Sequence, residues 1–366
     1  MNPAALPMRA DPVYVIAEAG VNHNGRRELA LQLVEAAAAA GADAVKFQTF
    51  SAARLASAQA PKAAYQQRST GVAESQLEML RKLELPLDWH AELQAFARAR
   101  GVEFLSTAFD ADSLDFLQQL GLPLYKIPSG EITNGPLLWR FARTGQPLVL
   151  STGMATLSEV EQALAILAHG MHAEAEPRGL DAVWQGWSRP EWQARVRERV
   201  TLLHCTSQYP TPPHEVNLRA MDTLAAAFGL RVGYSDHTEG ALVPIAAVAR
   251  GATLVEKHFT LDRTLPGPDH AASLEPRELA RMVADIRALS QVLGSGVKAP
   301  QPSEWDTRRA ARQQVVAARD IAAHATLARE DLTTARSGGG LPAAALWDCV
   351  GRRAGRGYAA GEAIQP

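Results

Sequence analysis

Residue types that bind metal ions occur in two short stretches late in the chain: Ser235 with His237, and Glu256 with Lys257 and His258. If each stretch is a β-strand, side chains two positions apart share a face. His237 then lies on the face of Ser235. His258 lies on the face of Glu256, and Lys257 points the opposite way. Either histidine alone is better explained as a hydrogen-bonded core residue, but two at the mouths of neighbouring strands predict a site for Mn²⁺, Fe²⁺, Co²⁺ or Zn²⁺.

Two lysines fall inside apolar, strand-like stretches. Lys46 lies in VKFQT and Lys126 lies in YKIPSG. Because an unpaired charge inside a protein is costly to bury, the two lysines predict an anionic ligand that neutralises them. Hydroxyl groups suited to phosphate or carboxylate oxygens stand at corresponding strand ends, although each fits a turn or helix cap equally well: Thr107, Ser129 and Ser151.

An acidic residue, Glu18, lies in the middle of the first strand-like stretch, between small residues. A carboxylate there rarely serves packing, so Glu18 is a candidate for proton transfer or for positioning water. The alternative is a structural salt bridge from Glu18 to a neighbouring lysine.

These residues require a scaffold that brings the carboxyl ends of many strands together. Eight apolar stretches, most of them rich in Val, Ile and Leu, alternate with helical periodicity between residue 13 and about residue 293. This alternation predicts parallel strands buried on both faces and favours a closed (β/α)8 TIM barrel, whose active site lies at the carboxyl ends of the strands. The predicted strands are Val13–Gly20, Asp43–Phe50, Val102–Phe109, Leu124–Gly130, Pro147–Gly153, Val200–Cys205, Arg231–Thr238 and Thr253–Thr260.

Composition divides the chain and restricts its class. Residues 1–293 are predicted to form the barrel, residues 294–310 a Gly- and Pro-containing linker, and residues 311–366 a small β-rich domain. Two segments interrupt the barrel pattern: a polar loop at 51–75, placed to cover the site, and an insertion at 169–199.

The net charge of −2 provides no global field for nucleic acid or a membrane surface. Two distant cysteines, with no signal-peptide or membrane-span pattern, favour a cytoplasmic protein.

At this point the sequence resembles the N-acetylneuraminate (sialic acid) synthase family, from about Val13 to Ile364. The motifs that carry the resemblance follow the strands in order: AEAGVNHNG, GADAVKFQTF, LSTAFD, YKIPSGEITNGPLL, LSTGMAT, LLHCTSQYPTP, VGYSDHT and EKHFTLDRTLPGPDH. The tail is similar to type III antifreeze proteins (an SAF domain). The resemblance implies a C–C bond-forming transferase that condenses phosphoenolpyruvate with the open-chain aldehyde of N-acetylmannosamine and with water, giving N-acetylneuraminate and phosphate.

The resemblance also implies roles for particular residues. Metal ligands would be His237 and His258, holding Mn²⁺, with Mg²⁺ or Co²⁺ as alternatives. Catalytic residues would be Glu18, Glu256 and Arg336, the last reaching from the tail into the site of the other subunit of a domain-swapped homodimer. Substrate contacts would be Lys46, Thr107, Lys126, Ser129, Ser151, Ser207, Tyr209, Ser235, Asp269 and Gln66.

Departures from the family pattern leave alternatives open. Ser207 stands where some members have asparagine, and Ser337 replaces the proline that commonly follows the arginine. One alternative keeps the reaction but uses a 2,4-diacetamido-trideoxyhexose, giving legionaminate or pseudaminate. Another is a metal-dependent aldolase, and a third is a non-catalytic sugar-binding or ice-binding protein. Retention of an acid, two histidines and two lysines argues against the third.

Overall fold

The computed structural model describes residues 12–57 and 75–365. The chain forms two compact units, one ending at Gly294 and the other starting at Ser295. Each unit has its own hydrophobic core.

The first unit is an eight-stranded parallel barrel, as predicted. Its strands run in the order β3-β2-β1-β8-β7-β6-β5-β4, and β3 and β4, at the two ends of this order, contact each other. All eight predicted strands are confirmed, each shorter than the apolar stretch that predicted it because the terminal residues belong to turns. The strands are β1 Tyr14–Gly20, β2 Ala44–Thr49, β3 Glu103–Ala108, β4 Tyr125–Ile127, β5 Leu148–Ser151, β6 Val200–His204, β7 Arg231–Asp236 and β8 Leu254–His258.

Helices follow the strands and cover the outside of the barrel. The 169–199 insertion is helical, and its two helices, α8 and α9, pack against α7. Among the described residues of this unit, the helices are α1 Arg27–Ala39, α2 Ala52–Leu55, α3 Gln76–Arg81, α4 His90–Ala99, α5 Ala111–Leu120, α6 Gly135–Arg143, α7 Leu157–His172, α8 Leu180–Trp187, α9 Pro190–Arg199, α10 Ala220–Phe228, α11 Leu242–Ala249 and α12 Pro276–Val292. Within residues 12–57 and 75–365, none of the helices has the length and apolar character that crossing a membrane requires.

Inside the barrel, the inward-facing side chains change from apolar to polar over two residues of each strand. Its lower layer is an apolar cluster that includes Ile16, Leu105, Val149 and Leu254. Two positions further along the same strands stand Glu18, Thr107, Ser151 and Glu256. Because residues two apart share a face, the apolar layer forms the floor beneath a polar layer at the carboxyl ends.

The second unit is small and β-rich. Strands β9 Gln314–Ala317 and β10 Leu332–Ala335 pair antiparallel, and isolated bridges connect Val316 with Ala363 and Ile321 with Tyr358. Helices α13 Trp305–Ala311 and α14 Leu346–Cys349 complete the unit. Residues 302–311, within the predicted linker, therefore form a 3-10 turn and a helix. The antifreeze-like character of the tail stays a prediction.

Candidate active site

A cavity of about 440 Å³ opens at the carboxyl ends of the barrel strands. A volume of this size suits one or two small metabolites. Eleven of the residues predicted for the site line it: Glu18, Lys126, Ser129, Ser151, Ser207, Tyr209, Ser235, His237, Glu256, His258 and Asp269.

Four charged side chains form a cluster at the base of the cavity, above the apolar layer: Glu18, Lys46, Lys126 and Glu256. The Nζ atom of Lys46 lies 2.6 Å from Glu18 Oε2 and 3.4 Å from Glu256 Oε2. Lys126 Nζ lies 3.3 Å from Glu256 Oε1, which also accepts a hydrogen bond of 2.8 Å from Ser235 Oγ. The alternative interpretation of Glu18, a salt bridge to a neighbouring lysine, is therefore what the structure shows for Lys46, and neither lysine is unpaired. In an interior that is so poor in water, each ammonium group pairs with a carboxylate.

The two glutamates of this cluster are driven toward opposite protonation states. Burial raises the pKa of Glu18, against the opposing effect of Lys46, and the charge of Glu256 adds to the rise. Burial alone would also raise the pKa of Glu256, but Lys126, Lys46 and the Ser235 hydrogen bond hold it well below its ordinary value. Carboxyl groups whose pKa values are separated in this way divide the roles of proton carrier and fixed anion.

The two histidines meet at the mouth of the cavity, with ring centroids 5.4 Å apart. His237 Nδ1–H donates to the Thr206 carbonyl at 2.7 Å, and Nε2 accepts from Tyr209 OH at 3.0 Å. Burial lowers the pKa of His237 to about 4 and lowers that of His258 well below its ordinary value. Both imidazoles are therefore neutral at pH 7, the form that binds metal ions.

The chemistry of this donor set fits a divalent cation. His258 Nδ1 is buried without a hydrogen-bond partner in the part of the chain that the structure describes, and Asp269 Oδ2 lies 3.9 Å away. A backbone carbonyl fixing Nδ1–H, as in His237, is the usual support of a metal-binding imidazole. No three His, Cys, Asp or Glu side chains among the described residues are grouped closely enough to hold a metal. The two imidazoles are one ligand fewer than the three protein ligands usual in a catalytic zinc site.

The loop after β8 positions Asp269 and is tied to the loop after β1. Asn22 Nδ2 donates to the Phe259 carbonyl at 2.8 Å and to Ser273 Oγ at 3.1 Å. Burial, together with Glu18, raises the pKa of Asp269 to about 7. Asn22, just after β1, therefore holds in place a site loop from the far end of the barrel domain.

Hydroxyl and thiol groups line the cavity beside β4, β5 and β6. Ser129 Oγ accepts from the Gly153 N–H at 3.0 Å and lies 3.2 Å from Cys205 Sγ, and Ser151 Oγ is buried with no hydrogen-bond partner among the described residues. A Cβ atom at Gly153 would stand 2.4 Å from Ser207 Oγ and 2.8 Å from Ser129 Oγ. A side chain at position 153 would force these hydroxyl groups to move, and the donors converge as they do in sites for phosphate or carboxylate oxygens.

Some predicted residues lie elsewhere, and one site residue was missed. Lys46, which is 1% exposed, hydrogen-bonds to Thr107 Oγ1 at 2.9 Å, and neither is among the described residues that line the cavity. Arg336 is an exposed residue of the second unit, and Gln66 lies outside the described residues. Gln48 lines the cavity and donates to Glu18 Oε1 at 3.2 Å. Its position two residues after Lys46 on the same strand was the signal for it.

The opposite face of β7 and β8 carries a second ion pair. Lys257 Nζ lies 2.5 Å from Asp236 Oδ2, and both side chains are 0% exposed. Lys257 also donates to the Thr238 carbonyl, and Asp236 Oδ1 accepts from the Thr238 hydroxyl at 2.9 Å. As predicted, Lys257 points away from Glu256 and His258.

Comparison with known proteins identifies relatives over nearly the whole chain. A model of the NeuB family matches residues 33–298. The N,N′-diacetyllegionaminic acid synthases of Campylobacter jejuni and Legionella pneumophila are 45% and 44% identical to it, over 96% of this chain and 98% and 93% of theirs. A crystal structure of N-acetylneuraminic acid (sialic acid) synthetase from Leptospira borgpetersenii, in complex with citrate, is 31% identical. It superposes with a TM-score of 0.67 over 84% of this chain and 94% of that one.

Proposed function

The chain belongs to the NeuB family, and from that membership we propose that it is an N,N′-diacetyllegionaminic acid synthase. The reaction condenses phosphoenolpyruvate with the open-chain form of 2,4-diacetamido-2,4,6-trideoxymannose and water, and it releases phosphate. The enzyme is thus a transferase that forms a carbon–carbon bond. The observation that carries this conclusion is the cavity in which Glu18, Lys126, Glu256 and two neutral histidines converge.

The choice of sugar differs from the first expectation. Sequence analysis favoured N-acetylmannosamine and kept the diacetamido sugar as the alternative. The relatives at 45% and 44% identity make diacetyllegionaminic acid, whereas the sialic acid synthetase is 31% identical. These identities favour the alternative.

The phosphoenolpyruvate site is proposed at the ends of β4, β5 and β6. Lys126, 11% exposed, faces the cavity, and Ser129, Ser151 and Ser207 supply hydroxyl groups around Gly153. Charge-assisted hydrogen bonds from such donors bind phosphate and carboxylate groups. Lys46 does not line the cavity. It pairs with Glu18 and Glu256 and holds them in position.

Glu18 is proposed to carry the proton that the reaction moves. Carbon 3 of phosphoenolpyruvate bonds to the aldehyde carbon, and the aldehyde oxygen needs a proton to become a hydroxyl group. Water then adds to carbon 2 and loses one proton. The hydroxyl group so formed becomes the ketone as phosphate leaves with its bridging oxygen, and the remaining hydroxyl proton passes to the phosphate. One carboxyl group with a raised pKa serves both transfers, because it gives a proton first and takes one back. No net proton is required of Glu18.

A divalent cation, Mn²⁺ with Mg²⁺ or Co²⁺ as alternatives, is proposed to bind His237 and His258, beside Asp269. When bound, such an ion supplies Lewis-acid polarisation of a carbonyl oxygen. Tyr209 and the Thr206 carbonyl hold His237 in the tautomer that presents Nε2 to the cavity. Gln48, Tyr209 and Asp269 line the part of the cavity available to the sugar.

Two finer proposals concern the whole molecule. We propose a homodimer in which Arg336 of one copy completes the sugar site of the other. Arg336 is exposed and follows β10, beside Gly338 and Gly340, both with positive φ. Mixing a Glu18→Ala chain with an Arg336→Ala chain restores activity if sites are shared, and gives no recovery despite subunit exchange if each chain completes its own. We also propose a cytoplasmic location, which the use of phosphoenolpyruvate and two free cysteines supports.

The experiment that tests the proposed function is a panel of sugars. Purified enzyme with Mn²⁺ and phosphoenolpyruvate is offered N-acetylmannosamine and 2,4-diacetamido-2,4,6-trideoxymannose, and phosphate release and product mass are followed. Release of phosphate with formation of the nine-carbon acid supports the proposal. If pyruvate replaces phosphoenolpyruvate equally well, the enzyme is an aldolase instead.

A further inference from the structure

One side of the cavity is built from apolar side chains that the polar chemistry described above does not use. We call this set the apolar wall: Phe50, Leu55, Met79, Leu80, Leu83 and Phe109. All six belong to a single cluster separate from the main barrel core. Phe50 and Phe109 make an edge-to-face contact, with ring centroids 5.9 Å apart. The cluster therefore has a fixed shape of its own.

The strand order places the apolar wall across the cavity from the reacting groups. Phe50 follows β2 and Phe109 follows β3, while His237 follows β7 and Ser207 follows β6. In the closed order β2 lies opposite β6, and β3 lies opposite β7. A sugar whose aldehyde carbon lies near His237 and His258 must extend its other end toward the apolar wall.

The wall distinguishes between the two candidate sugars by their chemistry. The far end of N-acetylmannosamine carries hydroxyl groups on carbons 4 and 6. A hydroxyl group buried against apolar side chains loses its hydrogen bonds to water. In 2,4-diacetamido-2,4,6-trideoxymannose, carbon 6 is a methyl group and carbon 4 carries an acetamido group. Gln76, which also lines the cavity, offers an amide that donates and accepts hydrogen bonds, as an acetamido group does.

We propose that the apolar wall is the specificity-determining surface of this enzyme and selects 6-deoxy, 4-acetamido sugars over fully hydroxylated ones. This inference rests on the proposed function, because it presumes that a sugar aldehyde is the second substrate. Burial of a methyl group in a hydrophobic pocket discriminates by about tenfold or more.

The test compares three sugars at saturating phosphoenolpyruvate: the diacetamido trideoxy sugar, N-acetylmannosamine, and 2-acetamido-2,6-dideoxymannose, which lacks only the 6-hydroxyl group of N-acetylmannosamine. For the wild type, kcat/KM is expected to rise from N-acetylmannosamine through the dideoxy sugar to the diacetamido sugar. Leu80→Gln places an amide on the wall and should lower the preference for the diacetamido sugar about tenfold. The KM for phosphoenolpyruvate should be unchanged.

Leu55→Gln, on the other helix of the wall, repeats the test at a second half-buried position. Leu87→Gln is the matched control, because Leu87 is 52% exposed and does not belong to the wall. Thermal unfolding verifies that each variant folds. If folded Leu80→Gln and Leu55→Gln enzymes keep the sugar preference of the wild type, this inference is overturned, but the proposed function stands. If the folded, Mn²⁺-supplied wild type releases no phosphate with any of the three sugars, the proposed function fails, and the inference fails with it.

Discussion

The two faces of strands β7 and β8 both bury polar and charged side chains, but they satisfy them differently. On the outer face, Lys257 and Asp236 form an ion pair that Thr238 completes with its hydroxyl group and carbonyl oxygen. On the inner face, His258 Nδ1 is buried without a partner among the described residues, although Ser235 and Glu256 are paired nearby.

This difference separates a structural polar cluster from a chemical one. A buried polar group without a partner reduces stability, and in the cavity a ligand can supply the missing interaction. Lys257 and Asp236 on the outer face already have their partners, so they need no ligand. Substitutions on the inner face should therefore reduce turnover, and substitutions on the outer face should reduce stability.

The largest effect on turnover is expected for His258→Ala. If His237 and His258 hold a cation as proposed, loss of one imidazole should prevent it from binding and remove several kcal/mol of transition-state stabilisation, about 10³-fold or more in kcat. The melting temperature should change little. Arg231→Ala, at the exposed start of β7, is the control. Wild-type activity of His258→Ala in chelator-treated buffer would contradict the metal role.

Glu18→Gln should follow, with kcat lower by about 10² to 10⁴ because the proton carrier is lost. Lys46 keeps Glu256 as a partner in this variant, so the barrel should remain folded. Glu103→Gln makes the same change on β3, on an exposed residue at the other end of the barrel, and should leave kcat unchanged. Equal kcat values for Glu18→Gln and wild type would show that Glu18 is only the salt-bridge partner of Lys46.

The outer face should respond in the opposite way. Lys257→Met leaves the buried Asp236 carboxylate unpaired and should reduce the free energy of unfolding by about 3–5 kcal/mol. Denaturant titration measures this loss, and the double variant Lys257→Met/Asp236→Leu should recover part of it. The kcat of the fraction that stays folded should remain close to wild type. If kcat falls as far as in Glu18→Gln while stability is kept, the distinction between the faces is wrong.

A smaller effect on stability concerns His90, a buried histidine whose two ring nitrogens both have hydrogen-bond partners. His90 Nδ1–H donates to the Pro86 carbonyl at 3.1 Å, and Nε2 accepts from Thr49 Oγ1 at 2.7 Å. Burial lowers the pKa of His90 to about 4. Below the unfolded value of 6.5 the unfolded chain binds a proton that the folded chain does not, so stability falls as the pH drops from 6.5 toward 4.

His90 should lower the free energy of unfolding by up to about 1.4 kcal/mol for each pH unit below 6.5. Urea titrations at pH 7, 6 and 5, compared with His90→Asn, measure the contribution. An identical pH dependence in the variant would show that His90 does not titrate in this way.

Much of the fold was predictable because parallel barrel strands are buried on both faces and leave a strong apolar pattern. The alternation rule also placed Glu256 and His258 on one face and Lys257 on the other. The salt bridge between Glu18 and Lys46 was open as an alternative, but the pairing of Lys126 with Glu256 was not foreseeable, because β4 and β8 are not neighbours in the sheet and their side chains meet across the barrel interior. The apolar wall was missed for a related reason. Residues 51–75 were interpreted as a polar loop, whereas Leu55 lines the cavity together with Met79 and Leu83 from beyond the loop.

The most direct test of the central claim follows the bridging oxygen of phosphoenolpyruvate. The enzyme is incubated with 2,4-diacetamido-2,4,6-trideoxymannose, Mn²⁺ and phosphoenolpyruvate labelled with ¹⁸O between carbon 2 and phosphorus. Mass spectrometry then determines the masses of the phosphate and of the sugar acid. We expect ¹⁸O in the released phosphate and an unlabelled diacetamido nine-carbon acid, because water adds to carbon 2 and the carbon–oxygen bond breaks. Label retained in pyruvate or in the acid, with unlabelled phosphate, would contradict it.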